Sequence, residues 1–478
     1  MDNHRIRKTK IICTLGPASS SLEMIVKLAH AGMNVARLNF SHGTHEYHKL
    51  SIAAIRQASA QTGKRIGILQ DLGGPKIRLG ELRTPQIILK PGQPVTLTTG
   101  ETAEGNEIPV NYAYLAEDVS PGSKILLADG LVELALERIE GGKLKCVTIT
   151  GGILTSHKGV NLPLCNLRTP AFTKKDQADL EFGLMNGVDF VALSFVRGVA
   201  DLLPVKEAIS RSRSAKPMLL AKIEKPQAVE SLNEILPMVD GIMVARGDLG
   251  VETPFERLPI IQKSVITAAR RAGKPVITAT QMLRSMIDSP RPTRAEATDT
   301  ANAILDGTDA LMLSEETAAG DYPVEAVTTL DMIARATEES YDSAKYMDEP
   351  ESAFVQDTEA AMSRAACGLA LKLGAVCLAT STLTGHTARM ISRFRPSMPI
   401  IGFTCDEDTF RKLNLSWGVI PALIPQTQDL GTLCRTAERF ARDNGLGAAG
   451  DRIIVTAGYP LWVSGSTNIV EVITINGS

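Results

Sequence analysis

The chain has 478 residues, enough for about two to four domains and too many for a single hydrophobic core. Lysine and arginine number 51 against 53 aspartate and glutamate, a formal charge of -2, so no global basic field argues for nucleic acid and any anion must be bound locally. Seven cysteines without a C-x-x-C pair, an N-terminus without an apolar signal core and no stretch of about 18 uninterrupted apolar residues lead us to expect a reduced, soluble, cytoplasmic protein with no membrane partner.

Ile11 to Leu15 reads as a first strand, and Gly16-Pro17 leads to Ser20-x-x-Glu23, a capping box opening a helix through His30. Asn34 to Phe40 is the second strand. On it Arg37, Asn39 and Ser41 fall at i, i+2 and i+4, so three polar groups share one face of an otherwise apolar run. Such a face is costly unless something binds there, and its position before Gly43 suits an anion or a metal-bound substrate. The alternative is an arginine capping carbonyls. His42, His45 and His48 open a polar helix through Gln61 but lack Cys or Asp partners at zinc spacing, so no histidine metal site is expected. The third strand, Arg65 to Leu72, carries Asp71 near its end and runs into Gly74-Pro75-Lys76-Ile77-Arg78.

From Gly73 to Pro170 short alternating runs separated by Gly and Pro (Gln86 to Leu89, Val95 to Thr98, Lys124 to Ala128, Val132 to Arg138, Leu144 to Thr150) read as a small all-β domain. Helical patterning resumes at Thr173, which makes this domain an insertion on a loop. Helix Lys175 to Met185, strand Phe190 to Phe195 and helix Val199 to Ser212 lead to MLLAKIEKPQAVESLNEILPMVDGIMVARGDLG, Met218 to Gly250. There a buried strand through Glu224, a helix opened by Pro226 and a strand Gly241 to Ala245 form one unit. Lys222 and Glu224 project from the same strand face and Asp248 follows the next strand, so one cation and two carboxylates converge. Two carboxylates suit Mg2+, which keeps water and completes its octahedron with a phosphorylated substrate. A lysine beside them suits a transferring phosphoryl group, the alternative being an internal salt-bridge network.

Helix Pro254 to Ala272, strand Pro275 to Thr280, the capping box Thr293-x-x-Glu296, strand Asp309 to Leu313 and a helix near Pro323 complete eight βα units, the count of a TIM barrel, with the polar residues at the carboxyl ends of strands. After the acidic stretch Met347 to Glu351, helix Thr358 to Leu373 precedes strands Val376 to Thr380, Ile400 to Phe403, Val419 to Ile424, Arg452 to Thr456 and Ile469 to Ile475, an open α/β sheet. The turn Thr380 to Thr387 offers hydroxyls to a phosphate, or is ordinary helix capping.

The motifs TKIICTLGPAS, ARLNFSHG, GPKIR, AKIE, VARGDLG, ATQMLRSM and MLSEETAAGDYP, in this order, closely resemble the pyruvate kinase family. The resemblance implies a TIM-barrel A domain (1–72 and 171–345), an inserted β-barrel lid (73–170) and an α/β C domain (351–478) for effector binding and oligomer contacts. It implies transfer from phosphoenolpyruvate to ADP, with Lys222 catalytic, Glu224 and Asp248 on Mg2+ or Mn2+, and Gly247 and Thr280 completing the substrate pocket. Arg37 resembles the phosphate clamp, Arg78 and Lys175 are implied at the nucleotide phosphates, and Asn39, His42, Ser41 and Asp71 border the ATP and monovalent-cation pocket. Potassium-dependent members carry glutamate where this chain has Lys76, so K+ is not expected to be required, and Leu72 adds no polar side chain to that pocket. Ser381, Thr382, Thr384, Thr387, Ser464 and Ser466 are the expected grip on a phosphorylated effector, and a homotetramer is expected from the resemblance. A metal-dependent aldolase or lyase on a barrel is the alternative, but it has no need of the lid or of GPKIR.

Overall fold

The computed structural model describes residues 6–476 apart from 164, 166, 215, 348, 350–356, 428 and 464. Eight strands, β1 (Lys10–Thr14), β2 (Val35–Asn39), β3 (Gly67–Asp71), β4 (Phe190–Leu193), β5 (Met218–Ile223), β6 (Gly241–Ala245), β7 (Val276–Ala279) and β8 (Ala310–Leu313), pair in parallel and close into a barrel, β1 meeting both β2 and β8. The strands are apolar throughout because both faces are covered. Ile12, Leu69, Phe190, Leu220, Met243 and Ile277 fill the interior, while Ile11, Cys13, Ile68 and Val244 pack outward against the helices.

Local signals place the helices. Thr173 with Asp176 and Thr293 with Glu296 form capping boxes opening Lys174–Met185 and Arg294–Leu305. The first helix, Leu22–Ala31, differs from expectation: Ser21, not Ser20, caps it by accepting from Met24 N, so Glu23 stands at the second rather than the third position of the first turn, where it pairs with Lys27 at 2.7 Å. A short helix, Arg246–Glu252, escapes the periodicity because VARGDLG runs directly out of β6.

The inserted segment has its own core, including Leu97, Val110, Ile125, Leu134 and Leu144. Its strands pair as a six-stranded sheet with a two-stranded ribbon beside it. Three of them, Ile108–Val110, Gly152–Leu154 and Val160–Asn161, are too short to show an alternation in the sequence.

In the last unit β9 (Cys377–Ser381), β10 (Ile400–Thr404), β11 (Val419–Leu423), β12 (Arg452–Gly458) and β13 (Thr467–Thr474) run in the order β11-β10-β9-β12-β13, with only β13 antiparallel. This sheet docks on the amino-end face of the barrel. Arg411 Nε reaches Asp189 at 2.7 Å and Arg395 Nη2 reaches Asp309 at 2.8 Å, each aspartate standing immediately before a barrel strand. Leu415 joins the barrel's interior cluster from below. The carboxyl-end face is left to the inserted lid.

Candidate active site

Each polar group of the site leaves the barrel where its strand ends. Asp71 closes β3 opposite Asn39 of β2, and Arg37 lies two residues before Asn39 on the same face. Arg37 Nε donates to Asp71 Oδ2 at 2.8 Å and its Nη1 to Thr14 Oγ1 at 3.0 Å. Lys222 Nζ lies 3.1 Å from Asp71 Oδ1 and 2.8 Å from Glu224 Oε1, and donates to Ser194 Oγ at 2.8 Å. Two cations therefore share Asp71. Burial alone would push that carboxyl up, but Lys222 and Arg37 outweigh it and hold Asp71 below the usual carboxylate range. Burial likewise opposes the charge of Lys222, yet Asp71 and Glu224 hold its pKa above the ordinary lysine range. The ammonium stays charged at any physiological pH.

Glu224 is fully buried and accepts from Phe195 N at 2.7 Å through Oε2. Burial raises its pKa, with Lys222 pulling the other way and Asp248 adding to the rise. Its Oε1, although close to Lys222, lacks hydrogen-bond geometry and has no hydrogen-bond partner among the described residues. A buried carboxylate oxygen held by an ion pair alone, near a second carboxylate, fits a hard divalent cation. Among the described residues no group of three or more His, Cys, Asp or Glu side chains is placed to hold a metal, so such an ion would draw its other ligands from water and substrate.

Asp248 stands in the first turn of Arg246–Glu252. Beside it Gly247 N donates to Thr280 Oγ1 at 2.7 Å, and that hydroxyl gives its own proton to Ala279 O at 2.6 Å. Thr280 has φ 71° and Phe195 φ 56°, left-handed conformations that non-glycine residues adopt only when their surroundings enforce them. For Thr280 the enforcement comes from Arg246, whose Nη2 holds Thr280 O at 2.8 Å while Nη1 pairs with Asp299 at 2.7 Å.

Between barrel and lid lies a cleft of about 450 Å3, lined by Lys76, Arg78, Lys158, Arg197 and Lys225 with Asp129, Asp248 and Glu252. A larger opening of about 1280 Å3 between the lid and Gly250 to Glu256 is rich in carboxylates, including Glu117, Asp118, Glu133 and Glu256. Charge favours the smaller, cationic cleft for a phosphate ester. Lys76 is exposed as a whole residue, but its ammonium sits among cleft atoms; that burial, then Lys222 and Arg78, lower its pKa against the pull of Asp248 and Asp71. His42 faces the same charges, with burial, then Lys76, Arg78 and Arg37, holding its pKa down.

Of the residues singled out in the sequence, Arg37, Asp71, Lys222, Glu224, Asp248, Gly247 and Thr280 gather at the carboxyl ends, with Lys76 and Arg78 at the cleft and His42 within reach of their charges. Asn39 Oδ1 accepts from Ser41 N at 3.1 Å, and Leu72 is buried with its carbonyl accepting from Ser194 Oγ at 2.7 Å. Lys175 is engaged elsewhere, on Phe40 O at 2.7 Å and Asp179 Oδ2 at 2.6 Å. In the C-terminal sheet Ser381, Thr382, Thr384 and Thr387 border a small cavity of about 20 Å3 with His386 and Trp462. Thr387 already donates to the buried Glu359, and Ser466 Oγ to Val463 O at 2.7 Å; Ser464 lies outside the described residues. Sequence reading passed over Thr14, Ser194, Arg246, Glu252 and Glu359. Only Arg246 and Glu252 carried a signal, the i-2 and i+4 neighbours of Asp248.

A parallel barrel that gathers a permanently charged lysine, an arginine and two metal-fitting carboxylates beside a cationic cleft under the lid defines a phosphoryl-transferring barrel enzyme. Residues 6–327 match the family model described as pyruvate kinase, barrel domain, and residues 360–473 the one described as pyruvate kinase, alpha/beta domain. A pyruvate kinase of Geobacillus stearothermophilus is 44% identical over 473 residues, covering 98% of this chain and 81% of the relative. One of Clostridium acetobutylicum is 42% identical over 469 residues, covering 98% and 99%. The crystal structure of a pyruvate kinase from Cryptosporidium parvum superposes with a TM-score of 0.92 at 36% identity, over 98% of this chain and 96% of that one. The chain belongs to the pyruvate kinase family, glycolytic phosphotransferases acting on phosphoenolpyruvate and ADP, and the aldolase or lyase alternative is not favoured. Among the described residues no helix is long and apolar enough to cross a membrane.

Proposed function

We propose that Lys222 and Arg37 meet the oxygens of the phosphoryl group as it passes from phosphoenolpyruvate to ADP. The observation that carries this is the shared grip of both cations on Asp71, which fixes two permanent positive charges side by side at the barrel mouth. Phosphoryl transfer needs positioning and charge stabilisation more than covalent help. Glu224 and Asp248 are the residues that would hold Mg2+ or Mn2+. Such an ion would supply positive charge to offset the negative charge of the phosphorylated substrate. The P–O bond to the enol oxygen breaks as a β-phosphate oxygen of ADP bonds to phosphorus, and the lid excludes water that would otherwise take the phosphate. The remaining enolate takes a proton at carbon. Thr280, its hydroxyl proton already committed to Ala279 O, serves by orienting a water, with Gly247 fixing that hydroxyl.

Arg78 and His42 face the nucleotide end of the cleft with Asn39, and Lys175 reaches a nucleotide phosphate once it leaves Asp179. Lys76 takes the place of K+ beside Ser41, Asp71 and Leu72, so K+ is not required. A phosphorylated metabolite regulates the enzyme at the C-terminal sheet through Ser381, Thr382, Thr384, Thr387, Ser464 and Ser466, and the active form is a cytoplasmic homotetramer.

The test is a coupled assay for pyruvate with phosphoenolpyruvate, ADP and Mg2+. Lys222→Met, which keeps the stem and removes the charge, is expected to lower turnover on the order of a hundredfold to a thousandfold without loss of fold. Near-normal turnover would exclude Lys222 from the central role. Glu224→Gln and Asp248→Asn should instead shift the Mg2+ requirement upward, activity partly returning at high metal.

A further inference from the structure

The two carboxylates assigned to the metal sit on neighbouring elements, and each has a charged companion. Lys225 directly follows Glu224. Glu252 stands one helical turn beyond Asp248, on the same face of Arg246–Glu252. The companions meet: Lys225 Nζ lies 2.6 Å from Glu252 Oε1, with the two side chains 9% and 1% exposed. Asn161 of the last lid strand donates to the same Oε1 at 3.0 Å. The Lys225 ammonium also faces the ring of Phe195 at 5.9 Å, the residue whose N–H holds Glu224. The reaction as derived uses neither member of this pair. A buried ion pair adds little net stability over apolar residues of similar volume, whereas it holds two backbones at a set separation.

We propose that Lys225 and Glu252 form a positioning brace that sets the spacing of Glu224 and Asp248 for a divalent cation. The inference rests on the reading of Glu224 and Asp248 as the metal ligands. Partners one step removed from a metal characteristically change its affinity about 10- to 100-fold when lost.

The test is Mn2+ binding to the full-length, substrate-free protein, followed by electron paramagnetic resonance, beside melting temperature in EDTA. Lys225→Met or Glu252→Gln alone strands a buried charge and lowers both quantities. The double variant Lys225→Met/Glu252→Leu removes both charges. A brace predicts that its melting temperature recovers while its Mn2+ affinity stays about tenfold or more below wild type. Recovery of both together would show a purely structural pair and overturn the proposal. Glu252→Asp keeps the charge but retracts it by one methylene; weaker Mn2+ binding at a near-native melting temperature is expected, and unchanged binding would equally overturn the proposal. Glu224→Gln and Asp248→Asn separate the two readings. If these leave Mn2+ affinity unchanged the ligand assignment fails and the brace with it, whereas if they weaken binding and the double variant does not, only the brace fails.

Discussion

At Lys76 a single side chain is proposed to change a cofactor requirement. It brings a tethered monovalent charge to the neighbourhood of Asp71 and Asp248, where Lys222 and Arg78 already make the field positive. A free cation about 4 Å from that ammonium would be opposed by roughly 4 kcal/mol at an effective dielectric near 20. The carbonyl of Leu72, a possible ion ligand, accepts from Ser194 instead. Turnover in Na+- and K+-free buffer, with tetramethylammonium holding ionic strength, should therefore be near maximal. Activation of about tenfold or more by added K+ would contradict this, given how readily a lysine stem reorients toward solvent. Lys76→Glu should respond to K+ where the wild type is expected not to.

The contact between β1 and β11 joins the barrel to the C-terminal sheet through a single ammonium. Lys10 is buried and donates to Val419 O at 2.7 Å. Burial, then Arg7, lower its pKa to about 7 against the pull of Glu338 and Asp309. Its unfolded value is about 10.4, so between these limits the unfolded chain binds a proton that the folded chain does not. Stability contributed at this site thus rises with pH through that window, and the penalty for burying the charge is complete only below the lower limit. Lys10→Met keeps the stem and should stabilise the fold most at acid pH, by up to roughly 5 kcal/mol, with the advantage vanishing near pH 10. Denaturation midpoints of both proteins across this range decide it: a constant difference would mean that Lys10 does not titrate there.

At the scale of the whole molecule, the reaction and the proposed regulation occupy opposite faces of the barrel. Asp189 and Asp309 anchor the C-terminal sheet at the amino ends of strands, while Asp71 and Glu224 work at the carboxyl ends. An effector bound as proposed at the C-terminal sheet would have to act through the barrel's helices or, in the proposed oligomer, through other subunits. Its cavity is partly filled by the chain itself. Glu359 accepts from Thr387 and, at 3.1 Å, from Thr467, and Trp462, at φ 60°, ties its indole to Thr427 O at 2.8 Å. A phosphate reaching Thr387 would displace or repel that carboxylate. Sugar phosphates should shift the phosphoenolpyruvate saturation curve of the wild type, and Glu359→Gln should lower the concentration needed severalfold, consistent with removing a like charge. A response indifferent to Glu359 and to changes at Thr382 and Thr384 would move the effector elsewhere.

Local chemistry was enough to read the barrel, the insertion and the C-terminal sheet. Unbroken apolar runs mark strands covered on both faces, Thr-x-x-Asp and Thr-x-x-Glu mark helix starts, and Arg37, Asp71, Lys222, Glu224 and Asp248 stand out as charges at the ends of such runs. Two neighbouring serines left the first cap ambiguous by one residue, because either hydroxyl can reach the amides of the first turn. Closure of the ring decided what no run of sequence contains. It set Asp71 between cations from β2 and β5, placed Arg246 on the backbone of Thr280, and brought Lys225 to Glu252. It also brought Lys175 to the carbonyl of Phe40, while packing in the C-terminal unit occupied Thr387 with Glu359, pairings invisible before folding because a side chain's partner depends on which strands and helices become neighbours. Residue type and spacing determine which groups are available to this site, and tertiary packing determines which of them are held together, buried and charged.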